Sequence, residues 1–403
     1  MFVSYYNILC LCKRKYQSLA KAFCFLFLSV CFFAACNGDD KPERVERTTF
    51  VYFPWTNNLT NYFYDNIFDI EQVIKTSGTN GGKVLVFLAT SATEAQIFEI
   101  VCKDGTTRRS VLKTYTNPQY TTQSVITSIL NDVKRFAPAE SYAMIIGSHG
   151  MGWLPAAADK SQELNAAHSR GGYDCSADSR FFGGLYPEYQ TDISTLAGSI
   201  AACGLFMEYI LFSGCYMSSL EAAYELRNVT KHIIASPTEV MAIGMPYREM
   251  GKYLFAENPD YGAICKAFYD FYSSYEDPFG TLAVIDCGEL DSLAALMKKI
   301  NGHHRFDSTQ QGNMQRMDGY NPVLFYDYGD YVKALCGQND DCFAQFTQQI
   351  NRVVPYKVHT ESFYSATYGV VPIKNYSGIT TSEPSTNSKA QTYNQTQWYK
   401  DTH

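Results

Sequence analysis

Behind residue 36, no two cysteines of this sequence stand at the C-x-x-C spacing of a metal or redox motif, nor do they form the dense framework that staples small secreted domains. A G-x-S-x-G elbow, a Walker-type phosphate loop and a calcium-loop pattern are also missing, which removes the commonest serine-hydrolase, nucleotide and calcium sites. No apolar run reaches the roughly 20 residues of a membrane-spanning helix, and no internal repeat is visible. Basic charge is scarce. Of 33 Lys and Arg, four (Lys13, Arg14, Lys15 and Lys21) fall in the first 35 residues, which hold no acid; behind them 29 bases face 40 acids. That balance argues against a nucleic-acid partner.

What the 403 residues do contain is core material, 46% hydrophobic against 18% charged, enough for one large domain with an appendage or for two domains. The 31 tyrosines suit broad recognition surfaces without naming what they recognise.

The N-terminus reads as a targeting segment. Four bases precede "AFCFLFLSVCFFAA", too short to span a membrane and right for the apolar core of a signal peptide. Ala34, Ala35 and Cys36 resemble the lipobox of bacterial lipoproteins, with Phe33 where leucine is usual. The resemblance implies cleavage before Cys36 and a lipid anchor on its sulfur; the alternative, an uncleaved anchor helix, is disfavoured by length. The acids Asp39, Asp40 and Glu43 resemble a surface-export signal of some Gram-negative lipoproteins, so the expected place is the outer membrane, extending to the cell surface.

The organisation expected is residues 1–35 as signal peptide, 36–47 as linker, 48–300 as the main domain and 301–403 as a C-terminal extension. Strand-like runs "TTFVYFPW", "KVLVFLA", "FEIVC", "YAMIIG", "LFMEYILF" and "HIIAS" alternate with helical stretches such as "TTQSVITSILNDVKRFA". Almost wholly apolar strands separated by helices indicate an α/β sandwich with a mostly parallel sheet covered on both faces. Residues 154–191 read as a long polar loop, and "SGITTSEPSTNSKAQT" as a flexible one. Cys336 and Cys342 flank "GQNDD" and could close a local disulfide; most of the other mature cysteines suit the core.

In parallel sheets, ligands meet the protein beyond the carboxyl ends of the strands. His149, in "IIGSHGMGW", and Cys215, in "ILFSGCYM", both stand at such ends. A thiol attacks an amide as thiolate, so it needs a base or a helix N-terminus beside it. His149 is the candidate base. The stripe Met217, Leu220, Tyr224 places a helix start next to Cys215. Gly150 lets substrate approach the backbone, and its N–H with that of Cys215 could hold an oxyanion. His303 and His304 lack a spaced third ligand and read as a solvated turn, so no metal is expected.

"YAMIIGSHGMGW" resembles the H-G-x-G-W block of the clostripain family of cysteine peptidases, relatives of the caspases, and "LFSGCYMSSLEAAYELRN" is similar to its nucleophile block. Supporting matches lie at "FVYFPWTNNL", "IIASPTEVMAIGMPY", "YGVVPI" and "YNQTQWYK", in order along nearly the whole mature chain. The resemblance implies a caspase-like α/β/α sandwich, Cys215 as nucleophile, His149 as general base and acid, and oxyanion donors at Gly150 and Cys215. It also implies a protein or peptide substrate and no obligatory cofactor, with calcium dependence and oligomeric state left open. Relatives are often matured by cleavage between histidine and cysteine, and Lys160, Arg170 and Arg180 are the candidate bonds, Arg170 first because two glycines follow it. One departure stands out. The family typically has Asp two positions before the cysteine, selecting Arg or Lys before the scissile bond, and this chain has Ser213, with Glu239 as the candidate replacement charge. Rival readings are a silent pseudopeptidase that binds protein or glycan, and a transpeptidase or esterase using the same dyad.

Overall fold

The computed structural model describes residues 42–156, 182–337 and 340–403. Cys36, Lys160, Arg170 and Arg180 lie outside the described residues. From Arg44 to His403 the chain forms one compact unit, so residues 301–403 belong to the same body as those before them.

In chain order the unit runs β1 (Val45–Phe53), α1 (Thr60–Ser77), β2 (Lys83–Ala89), β3 (Glu94–Lys103), β4 (Thr106–Thr116), α2 (Gln123–Phe136) and β5 (Ala139–Gly147). Next come three two-residue strands, β6 (His149–Gly150), β7 (Phe182–Gly183) and β8 (Gln190–Thr191), then α3 (Ile193–Ala202), β9 (Met207–Ser213), α4 (Leu220–Leu226) and β10 (Thr230–Ala235). The remainder is α5 (Tyr247–Leu254), α6 (Tyr261–Ser273), β11 (Thr281–Asp286), α7 (Leu290–His303), β12 (Tyr326–Asp327), α8 (Tyr328–Cys336), α9 (Asp341–Val353), β13 (Tyr356–His359), β14 (Ser362–Ser365), β15 (Gly369–Pro372), β16 (Thr380–Thr381) and α10 (Gln397–Thr402).

A nine-stranded sheet organises everything, in the order β13-β11-β10-β9-β5-β1-β2-β3-β4. The five middle strands, β10, β9, β5, β1 and β2, are mutually parallel, and both edges finish with antiparallel pairs. Alternate residues of each middle strand feed two cores, one per face. Tyr52, Phe87, Ile146, Phe212 and Ile233 point toward α2, α3, α4 and α7, whereas Phe53, Val86, Ile145, Leu211 and Ile234 point toward α1, α5 and α6. Burial on both faces is why these strands read as unbroken apolar runs. The α/β/α sandwich expected from the sequence is the architecture found.

Two expectations need correction. The polar stretch around Ser377–Ser382 is not a loose loop: Thr380 and Thr381 are fully buried. Their polar groups are consumed locally, Thr380 N–H by the Ser218 carbonyl at 3.0 Å and Thr381 hydroxyl by Glu221 at 2.8 Å. Composition misled because buried polar groups with partners look, in a sequence, like solvated ones. Nor does a helix begin beside Cys215. Helix α4 starts at Leu220, capped by the Ser219 hydroxyl, so four residues separate the thiol from it. Of the expected stripe, Leu220 and Tyr224 lie on the helix and Met217 precedes it, all three buried.

Candidate active site

The chain runs outward in both directions from β1 and β5, to β2 on one side and to β9 and β10 on the other. Such a switch of direction opens a crevice at the carboxyl ends of the strands. Strand β5 is in register with β9 through Gly147 opposite Ser213. His149 and Cys215 are each two residues beyond that pair, so the common register carries both to the same rim. The two turns touch. A methyl group added to Gly214 would lie 2.6 Å from the Ser148 carbonyl oxygen, and one added to Gly150 would lie 2.6 Å from that of Cys215. Glycine is therefore required at 150 by the neighbouring turn.

The cysteine turn is held by main chain. Tyr216 adopts a left-handed φ of 60°, uncommon for a bulky residue and costing about 1–3 kcal/mol unless its surroundings enforce it. They do: its N–H donates to Thr238 O at 3.0 Å, its ring stacks on Phe325 with centroids 5.0 Å apart, and Ser218 N–H donates to Ser236 O. The Cys215 sulfur is half-buried and accepts from Val240 N–H at 3.3 Å. Thus the loop after β10 supports the nucleophile candidate directly.

The histidine is held by a side chain. His149 Nε2 lies 2.7 Å from Asn58 Oδ1, and an amide oxygen can only accept. Nε2 therefore carries the ring proton and Nδ1 is the basic nitrogen. Burial pushes the imidazole pKa down to about 4, so the ring is neutral near pH 7, the form a general base needs. Asn58 follows β1, the strand beside β5, and lies in the block "FVYFPWTNNL", where the sequence alone assigns it no role. Its signal was the pair Asn57-Asn58 just past a strand end. Asn57 serves the same corner, with φ of 74° and its side-chain oxygen accepting from Leu185 N–H.

Ser213 and Glu239 are both engaged. The Ser213 hydroxyl accepts from Met245 N–H at 3.2 Å on the α5 side of the sheet. Glu239 Oε1 accepts from the Tyr216 hydroxyl at 2.8 Å, and Oε2 accepts from Ala366 N–H at 3.0 Å, linking the cysteine turn to the β14–β15 hairpin. The motif tryptophan, Trp153, donates to Ser382 Oγ at 2.9 Å and packs edge-on against Tyr393. Beneath it Glu221 also grips this C-terminal segment, and burial raises its pKa to about 7. Among the described residues one group of three possible metal-binding side chains occurs, His304, Cys336 and Cys342, whose soft donors do not match the oxygen ligands calcium takes.

Touching turns that carry a cysteine and a histidine at neighbouring parallel strand ends of an α/β/α sandwich define a cysteine-hydrolase type of scaffold. The clostripain-family model matches residues 51–401, and the chain belongs to the clostripain family of C11 cysteine peptidases. Among solved structures it is similar to a secreted C11 cysteine protease of Bacteroides thetaiotaomicron called iotapain, with 49% identity, TM-score 0.83, and 90% of this chain and 100% of that one covered. A clostripain of the same organism, in complex with the peptide inhibitor BTN-VLTK-AOMK, is 54% identical over 55% of this chain and 99% of that one, at TM-score 0.54. An inactive zymogen C11 protease of Parabacteroides distasonis is 29% identical, with TM-score 0.73 and coverage of 90% and 99%. None of the curated proteins matches the chain. Among the described residues no helix is long and apolar enough to cross a membrane.

Proposed function

We propose that the protein is a cysteine endopeptidase in which Cys215 and His149 form the catalytic dyad. The observation that carries this reading is the shared register of β5 and β9, with the close contact of the two turns beyond it. His149 Nδ1 takes the thiol proton as the sulfur attacks a peptide carbonyl, and the tetrahedral oxygen is held by N–H groups of Gly150 and Cys215. Collapse expels the amine, which receives that proton from His149, and water then attacks the acyl-enzyme with the same ring as base. Asn58 fixes the ring's tautomer and direction throughout. Because α4 starts at Leu220 and not beside the thiol, activation is assigned to His149.

The preferred residue before the scissile bond is Lys or Arg. The inhibitor in the 54% identical relative reads Val-Leu-Thr-Lys, and Glu239 sets a carboxylate one residue from the nucleophile turn, each oxygen keeping a lone pair beyond its present bond. With Ser213 in place of an acid, the preference is weaker than a carboxylate-floored pocket gives. The mature protein is anchored through lipid on Cys36 to the outer membrane, a reading supported by the N-terminal sequence. Cleavage after Arg170 matures it, in keeping with a relative described as an inactive zymogen.

The deciding experiment incubates purified mature protein, before and after trypsin nicking of the segment between histidine and cysteine, with a fluorogenic peptide library beside Cys215→Ala. Turnover in the parent alone, with Lys and Arg peptides leading, is the expected result. No turnover under either condition would replace the peptidase with the pseudopeptidase reading.

A further inference from the structure

Away from the dyad, three helix ends converge. His304 immediately follows α7, Cys336 is the last residue of α8, and Cys342 lies in the first turn of α9. Cys336 and Cys342 are joined in a disulfide, and His304 Nε2 points at it, 3.5 Å from Cys342 Sγ. The ring nitrogen and the two sulfurs all lie within 4.8 Å of one another, each residue half-buried and so within reach of solvent.

A disulfide needs no imidazole. A tetrahedral thiophilic cation does need a third ligand, and the spacing fits one. With metal–sulfur bonds of about 2.3 Å and metal–nitrogen bonds of about 2.0 Å, the sulfur-to-nitrogen edge of a tetrahedron is about 3.5 Å, the separation seen here. Opening the disulfide lets the sulfurs part to the roughly 3.8 Å of a sulfur–sulfur edge, with no movement of the histidine required. The α9 N-terminus beside Cys342 favours thiolate over thiol. The sequence conceals this set because Cys342 is 38 positions from His304.

We propose that the dithiol form of the protein binds one thiophilic divalent cation of the zinc class through His304, Cys336 and Cys342, with water as fourth ligand, and that disulfide and metal are alternative links here, the disulfide joining α8 to α9 and the metal joining α7 to both. Reduction passes two electrons and two protons from an external dithiol, itself oxidised to a disulfide, to the protein sulfurs. Metal binding then releases the two thiol protons. The oxidised protein cannot bind, because its sulfurs carry no thiolate charge.

The test uses full-length mature Cys215→Ala protein, so that the catalytic thiol does not compete. The protein is reduced with dithiothreitol, desalted anaerobically and titrated with Cd2+, following the thiolate-to-metal charge-transfer band in the ultraviolet. The expected result is one equivalent bound in the reduced form and none after reoxidation, with affinity falling on the order of tenfold or more in His304→Gln. In parallel, Zn2+ should protect Cys336 and Cys342 from alkylation, read by mass spectrometry, with both native cysteines in place and no folding-sensitive substitution at either. A band of equal strength in Cys336→Ser/Cys342→Ser, or alkylation of both thiols at the same rate with and without Zn2+, would overturn the proposal.

Discussion

The turns after β5 and β9 leave the same sheet at the same register and both have paired main chain, yet the groups they carry are fixed differently. Around Cys215 the backbone is pinned by hydrogen bonds to the loop after β10 and by a left-handed Tyr216 that only a tight surround would tolerate. At His149 the ring itself is set, among the described residues, by a side-chain bond to Asn58. The contrast teaches that the sulfur's position is a property of the fold, whereas the imidazole's direction hangs on one amide and is the more easily lost.

Breaking the comparison at its strongest point, Cys215→Ala should reduce kcat/KM on the order of 10⁵-fold or more, with thermal stability close to parental, since the Tyr216 and Ser218 main-chain bonds remain when the Val240 N–H to sulfur contact is lost. Next in size, His149→Ala should cost about 10² to 10⁴-fold in kcat/KM. The parent's pH profile sharpens the point. With its pKa lowered to about 4, the ring stays neutral as pH falls through 6.5, so the acidic limb of kcat/KM should lie near 4 and not near 6.5. The same shift links to folding: the contribution of the neutral ring is complete above its unfolded value and is lost as pH falls through the folded one. An acidic limb at 6.5 would mean the ring is solvated as an ordinary histidine.

A smaller effect is expected for Asn58→Ala, on the order of tenfold in kcat from loss of one orienting hydrogen bond worth about 1.4 kcal/mol. The expected signature is a fall in kcat with KM little changed. Smallest is Glu239→Gln. If the carboxylate mainly clamps Tyr216 to the β14–β15 hairpin, unfolding free energy falls by about 1 kcal/mol for all substrates alike. If it also receives the substrate cation, KM for Lys and Arg peptides rises selectively. Denaturant unfolding beside a substrate comparison separates the two roles.

Much of this was legible in the sequence because strands buried on both faces declare themselves as apolar runs and their ends mark the rim. That logic places His149 and Cys215 at the rim. What escaped it was held together by long-range polar pairing. Asn58 is 91 positions from the ring it orients, and no periodicity links them. The stretch around Ser377–Ser382 looks like a loose loop in the sequence because its partners, Ser218 and Glu221, are about 160 positions away along the chain. The strands β6, β7 and β8 are two residues each, too short to show alternation. Strand β13, half-exposed at the sheet edge, lacks the apolar signature of the centre, although it knits the last hundred residues into the same body. Where a single core dictates the pattern the sequence is explicit, and where a position is set by a distant hydrogen bond it is silent.

The central claim is that His149 activates Cys215, and the most direct measurement is covalent labelling with a lysine-terminated peptidyl electrophile at pH 7, located by mass spectrometry. The account expects one equivalent on Cys215 in the parent and labelling slowed at least 100-fold in His149→Ala. Equal labelling rates in the two proteins, or modification of the exposed Cys102 in place of Cys215, would contradict it.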